Sequence, residues 1–321
     1  MIKIKSLLDL EISKKGCYEL KKPEELGKDD IIPIVSDVMF KIMLGNESKK
    51  KYVCYFLSLI LEKDYQEIYD NITFVKNDID NDNYHKPNKI VDLIVKINGV
   101  IYNIEMNNNS ERTYIERNIE YAMELYKSKR KRGDNKYKYS YVFQINIDNF
   151  TFKDRKKTSD MFMLRNEKGE ILTNKIKIMH LYLPKIKEKY YNKEKLSELE
   201  KIILVFNLSN KNELDNIIGD NKIMKEYKKE ALDASHDEEV IGLYDKELED
   251  FYNRQAAYYE IEEKAMKEGL EKGIKKGIEQ GIEQGENKKS IEIAKALLQN
   301  NVDINIIINS TGLSKEKIES L

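Results

Sequence analysis

The sequence has no tryptophan, only four prolines, two cysteines and three histidines among 321 residues. Two thiols, Cys17 and Cys54, are too few for a disulfide framework or a zinc site, and His85, His180 and His236 are scattered. No window approaches the ~20 apolar residues that a membrane span requires. The opening MIKIKSLLDLEISKKG is too short and too charged for a signal peptide. Neither sign of charge dominates: 56 Lys+Arg stand against 57 Asp+Glu, a formal net charge of −1. That balance excludes a generally basic, histone-like binder but leaves room for a local basic patch. The expectation from these absences is a soluble protein of a reducing, cytoplasmic compartment, with no membrane partner. What is plentiful is charge, at 35% of residues, beside a 40% apolar set that can build a core without staples.

Helical and strand-like stretches alternate up to about residue 210, the pattern of an α/β domain. Lys51 to Leu61 (KYVCYFLSLIL) is apolar on more than one side and suits a buried helix capped by Asn46 or Ser48. The runs KIVDLIVKI, VIYNIEMN, Tyr139–Ile147 and Lys175–Leu183 read as strands, and Glu111 to Lys131 has helical spacing. Lys76 to Lys89 reads as a polar loop. From about residue 186 the composition turns to Lys, Glu, Leu and Ile with helical periodicity. The expected organisation is an N-terminal extension over 1–29, an α/β domain over 30–215, a helical region over 216–288 and a small helical module over 289–321.

Asn98-Gly99 favours a two-residue type I′ turn, the strongest short-range hairpin signal. With those residues as the loop, cross-strand partners have numbers summing to 197. Ile97–Val100, Val95–Tyr102, Leu93–Ile104 and Val91–Met106 then share one apolar face, and a one-residue slip would scramble it. The other face sets Asp92 opposite Glu105, with Cβ atoms about 4.5–5.5 Å apart. Facing carboxylates repel, so the pattern calls either for a hard divalent cation between them or for a solvent-facing side on which water and salt screen them. Asn107, two residues on, projects from the same side and would reach a metal-bound water or a phosphate oxygen.

The fragments SDVMFKIMLG (Ser36–Gly45), KIVDLIVKINGVIYNIEMN, ERNIEYAMELY and GDNKYKYSYVFQINI resemble the Rpn family of recombination-promoting nucleases/transposases, within the PD-(D/E)XK nuclease superfamily. The resemblance covers about residues 30–185. It implies a restriction-endonuclease-like α/β core, a mixed central sheet flanked by helices, with an all-α C-terminal extension. It also implies a Mg²⁺-dependent (or Mn²⁺-dependent) DNA endonuclease. Asp92 corresponds to the motif aspartate and Glu105 to the (D/E) of the second strand, with the Met106 carbonyl as a further ligand. Asn107 stands where the superfamily has a catalytic Lys and this family usually Gln, which leaves a catalytically weak DNA-binding protein as the alternative. Asp37 resembles an acid that relatives place near the metal, or else it is a helix N-cap or first-turn acid. Arg117 and Tyr121 share a helix face and match the family's Arg…Tyr pattern, while a solvent-facing Arg is the plain alternative. Gln144 matches a family position, or is a buried strand Gln with a backbone partner.

Lys127, Lys129, Arg130, Lys131 and Arg132 form the densest basic run, and Lys153 to Lys157 adds another. Beside a metal site they would attract DNA phosphates without strong base specificity; away from one they are solvated charge. Gly269, Gly273, Gly277, Gly281 and Gly285 recur every four residues, and the first four are each followed by Leu or Ile. Five helical glycines cost roughly 4–5 kcal/mol relative to alanine, so a helix here expects compensation from a second copy in a homodimer; otherwise the segment is a frayed linker. The tail from Val302 suits a small interaction module, with a helix-turn-helix as the alternative.

Overall fold

The computed structural model describes residues 12–13, 20–75, 78–79, 89–108, 114–128, 139–152 and 155–321. The chain forms two compact units, Met1–Glu249 and Asp250–Leu321. The boundary expected near residue 215 lies inside the first unit.

The first unit is built on a six-stranded mixed sheet. Its strands are β2 (Ile72–Val75), β5 (Leu93–Ile97), β6 (Val100–Asn107), β7 (Tyr141–Asp148), β9 (Ser159–Arg165) and β10 (Ile171–Tyr182). Their spatial order is β2-β5-β6-β7-β10-β9. β6 runs parallel to β7 and β7 to β10, while the outer pairings are antiparallel. Two short ribbons, β1 (Ile12–Ser13) with β8 (Thr151–Phe152) and β3 (Asp78–Ile79) with β4 (Lys89–Ile90), lie outside it.

Side chains alternate across β6 and β7, so each strand serves two layers. Tyr102, Ile104 and Met106, with Phe143, Ile145 and Ile147, enter the main core. There they meet α1 (Asp37–Met43), α2 (Lys51–Leu61), α3 (Tyr65–Asn71), α5 (Leu183–Tyr191), α6 (Glu198–Asn207), α7 (Lys211–Ile218) and α8 (Lys222–Ser235). Met224, Tyr227 and Ala231 of α8 belong to this same core, so the core does not close near residue 215. The opposite sheet face is covered by α4 (Tyr114–Lys127), whose Ala122 and Leu125 pack on Ile94, Ile101, Val142 and Ile176. The α/β architecture expected from the alternation of elements is therefore present.

The hairpin has the expected register, from Ile97–Val100 to Leu93–Ile104. Asn98 and Gly99 have φ of 49° and 81°, the left-handed pair of a type I′ turn. Gly99→Val forces a β-branched residue into that region and is expected to cost about 1–2 kcal/mol, read from urea unfolding. The ladder stops one pair short of the expectation. Val91 does not join the Met106 face but packs with Ile94 and Ile101 under α4. In a regular continuation the Met106 N–H would donate to the Val91 carbonyl; here it donates to Asp92 Oδ2 at 2.8 Å. A second departure concerns α2: Asn46 caps the short turn before it, accepting from Ser48 N–H, and the helix itself starts after Lys50.

The second unit carries most of α9 (Glu238–Gln299), together with α10 (Ile304–Thr311) and α11 (Lys315–Glu319). Ala294, Ile307 and Ile318 form its small core. Asp303 caps α10, Gly312 closes it at φ 69°, and Ser314 caps α11. Among the described residues no helix is long and apolar enough to cross a membrane.

Candidate active site

Glu105 faces the α4 side of the sheet and is almost fully buried; Asp92, at the bend before β5, is partly covered. The solvated reading of this pair fails, because α4 lies over the face on which the acids meet. Two side-chain-to-backbone contacts tie them to the opposite strand: Met106 N–H donates to Asp92, and the Asp92 N–H donates to the Glu105 carboxylate. Asn103 Nδ2 adds a bond to Glu105 Oε1 at 2.9 Å.

Both acids hold protons more tightly than free carboxylic acids do. Burial pushes Asp92 up to about 6, with the Asp37 charge adding to it and Met106 N–H, Lys41 and Arg117 opposing. Burial raises Glu105 well above the usual range, the Asp92 charge raises it further, and Asn103 and Arg117 oppose.

The other sequence candidates fall into place around this pair. Asp37 is exposed at the first turn of α1, near enough for its charge to act on Asp92. The cap of α1 is Ser36, whose Oγ accepts from Met39 N–H. Glu247 reinforces it, accepting from Ser36 Oγ, Asp37 N–H and Val38 N–H at 2.7–3.1 Å. Arg117 reaches in from α4 and donates to Asn107 Oδ1 at 3.3 Å. Tyr121, one turn on, feels the charges of Glu105, Arg117 and Asp92. Met106 contributes its N–H. Gln144 is buried, but its partners are the side chains of Asn118 and Asn146 rather than backbone. Lys127 is the last residue of α4, exposed and paired with Glu124. Lys129, Arg130, Lys131 and Arg132 lie outside the described residues, as do Lys153 and Asp154 of the second basic run.

Asn107 is held by groups that sequence reasoning missed. Its Nδ2 donates to Asp148 Oδ1 at 2.9 Å. Asp148, fully buried, also meets His180 Nδ1 at 2.8 Å and the Tyr114 hydroxyl. With Nδ1–H directed at Asp148, His180 Nε2 is free to accept from Asn146 Nδ2, 3.5 Å away. Lys41 is a further missed cation, four residues after Asp37 and acting on Asp92. The signal for Asp148 was the period-two polar row Gln144, Asn146, Asp148 in YVFQINID, which faces α4 alongside Asn103, Glu105 and Asn107 of β6.

The donor set suits a hard cation. Two carboxylates crowded on neighbouring backbone, both destabilised by burial, offer oxygen ligands whose penalty a divalent charge would reverse. Mg²⁺ is commonly held by one or two carboxylates while keeping several waters. Among the described residues no group of three or more His, Cys, Asp or Glu comes together.

A model for the PD-(D/E)XK nuclease family transposases matches residues 34–261, a stretch holding every site residue named above. No curated protein and no solved structure matches the chain.

Proposed function

The chain belongs to the PD-(D/E)XK nuclease family transposases, and from that premise we propose a Mg²⁺-dependent DNA endonuclease serving recombination or mobile DNA. The observation that carries the reading is the mutually repelling pair Asp92 and Glu105, one at the bend leading into β5 and the other buried on β6, beneath α4. These two acids would hold the metal, Mg²⁺ or Mn²⁺, with the Met106 carbonyl as a further ligand. Held there, such an ion would supply Lewis acidity toward a phosphoryl oxygen and toward a bound water.

The rest of the chemistry falls to the chain's own groups. Arg117, whose positive charge acts on both Asp92 and Glu105, brings a cation to the place where a phosphate would sit. Asn107, its amide anchored on Asp148, offers Oδ1 to the Arg117 guanidinium and orients it. Tyr121 braces the same helix face, and Asp37 adds a carboxylate at the rim. The basic run Lys127–Arg132 supplies phosphate attraction without base readout, and copies of the chain pair through the 269–285 helix. Plasmid nicking tests the reading: Arg117→Gln is expected to lower the Mg²⁺-dependent rate on the order of 10²-fold, as removal of a transition-state donor does, without unfolding the protein.

A second reading rests on Asn107. Its donor group is turned toward Asp148 and Asn146, and it has a shorter reach than Gln or Lys and no charge. On that reading the protein binds DNA and oligomerises with little cleavage. Asn107→Gln separates the two: cleavage rising from none marks a decayed site, whereas strong, unchanged cleavage rejects decay.

A further inference from the structure

Arg117 is aimed by an amide whose direction nothing in Asn107 itself decides. A carboxamide presents an oxygen and an NH2 group of nearly the same size, so its neighbours choose which end points where. Two acceptors lie on the inner side of Asn107: Nδ2 donates to Asp148 Oδ1 at 2.9 Å and, less closely, to Asn146 Oδ1 at 3.4 Å. That leaves Oδ1 for the Arg117 guanidinium, 3.3 Å away. With the amide reversed, its NH2 would confront Arg117, donor against donor, and its oxygen would confront two oxygens.

Both acceptors are themselves fixed by one ring. β10 lies parallel to β7 with His180 opposite Asn146 and Tyr182 opposite Asp148, so His180 shares their sheet face. Asp148 is fully buried and its oxygens have separate tasks: Oδ2 accepts from His180 Nδ1–H at 2.8 Å, which leaves Oδ1 for Asn107. The Tyr114 hydroxyl, 3.0 Å from the same Nδ1, also donates to Asp148. Asn146 is an amide that could turn as Asn107 could. Its Nδ2 donates to the Met179 carbonyl at 3.2 Å and faces His180 Nε2 at 3.5 Å. Its Oδ1 is thereby kept toward Asn107 and toward Gln144 Nε2, the latter at 3.1 Å.

We infer that His180 is a positioning residue for the proposed cleavage: through Asp148 and Asn146 it fixes the direction of the Asn107 amide, and through that amide the place of Arg117. This rests on the role given to Arg117 above. His180 serves both neighbours only with a single proton, on Nδ1, so that one nitrogen donates to Asp148 and the other accepts from Asn146. A fully buried carboxylate deprived of that donor takes up a proton or turns to another partner. A protonated Asp148 can offer its O–H to Asn107 Oδ1 and draw that oxygen off Arg117.

The His180 ring also packs edge-on against Phe162 and Tyr114, with centroids 5.5 and 6.0 Å away. Phenylalanine at this position would keep that packing and lose both polar contacts. Asparagine would lose the packing, but its Nδ2 falls near the place of Nδ1 and keeps the donation to Asp148. Plasmid cleavage by the full chain therefore separates the two roles. His180→Phe is expected to lower kcat on the order of tenfold, a share of the loss assigned to Arg117 itself, with KM for DNA within about twofold. His180→Asn is expected to stay within about threefold of the parent, since the bond to Asp148 survives. In an Arg117→Gln background His180→Phe should cost nothing further, because the group it positions is gone. The reverse order, with His180→Phe active and His180→Asn impaired, would reduce His180 to packing. An equal loss in both backgrounds would break the route through Arg117, and either result overturns the inference. NMR exchange of the Asn107 side-chain amide protons reads the same geometry without cleavage. Protection kept in His180→Asn and lost in His180→Phe is the expected result. Equal protection in both overturns the positioning role, even for a protein that cuts no DNA.

Discussion

Asp92→Ala and Glu105→Ala are each expected to lower Mg²⁺-dependent plasmid cleavage by more than about 10³-fold, some 4 kcal/mol of transition-state stabilisation. Each change removes half of the proposed carboxylate ligand pair, and among the described residues no other acid shares its position: Asp37 stands on α1 at the exposed rim. Glu105→Gln sharpens the experiment. It keeps the shape and the capacity to accept from Asn103, but discards a charge that burial and the Asp92 carboxylate both oppose. Cleavage should vanish while the metal-free protein at pH 7.5 melts higher than the parent, since the change relieves a penalty rather than creating a cavity. Asp92→Asn is the gentler partner variant, because an amide oxygen still accepts the Met106 N–H that alanine would leave unpaired. Robust cleavage by the Asp92 and Glu105 variants would remove both residues from the active site, whatever the family of the chain.

That pair was readable in the sequence because everything that places it is local. Asn98-Gly99 sets the turn, the turn sets the register, and the register brings residues 92 and 105 together across a few residues of ladder. What surrounds the pair is not local. The polar face of β6 and β7 looks like a solvent face, since Asn103, Glu105, Asn107, Gln144, Asn146 and Asp148 alternate with apolar residues at the period of a half-exposed strand. Burial comes from α4, the crossover between these parallel strands, whose position no periodicity in the strands discloses. His180 joins Asp148 from β10, 32 residues away. Glu247 reaches Ser36 from 211 residues away, with no pattern connecting them. The bend at Asp92 was hidden for a different reason. A side chain replaced a backbone acceptor, and the ideal ladder contains no such exchange.

The same crowding makes stability depend on pH and on metal. The unfolded chain gives Asp92 an ordinary carboxylic acid, near 3.8, whereas the fold holds it at about 6. Between those values the native state keeps a proton that the unfolded state has released, so stability falls as pH rises. The penalty is absent below the unfolded value and complete above the folded one. The difference amounts to on the order of 3 kcal/mol, with the raised Glu105 adding in the same direction. Other groups titrate as well. Glu247, raised by burial, works in the same sense, while Asp30, Glu200 and Glu230, lowered by their lysine partners, work in the opposite sense. The quantity to measure is therefore the difference between the parent and an Asp92→Asn, Glu105→Gln double variant, melted in EDTA from pH 4 to 8. The variant should gain on the parent as pH rises, by roughly 6 °C at the top of the range for a folding unit of this size. Mg²⁺ at about 100 times its Kd should restore some 2.7 kcal/mol to the parent above pH 6, and nothing to the variant, which offers no carboxylate to the ion. Parallel melting curves for the two proteins across the whole range, indifferent to Mg²⁺, would mean that the two acids neither strain the fold nor bind the ion.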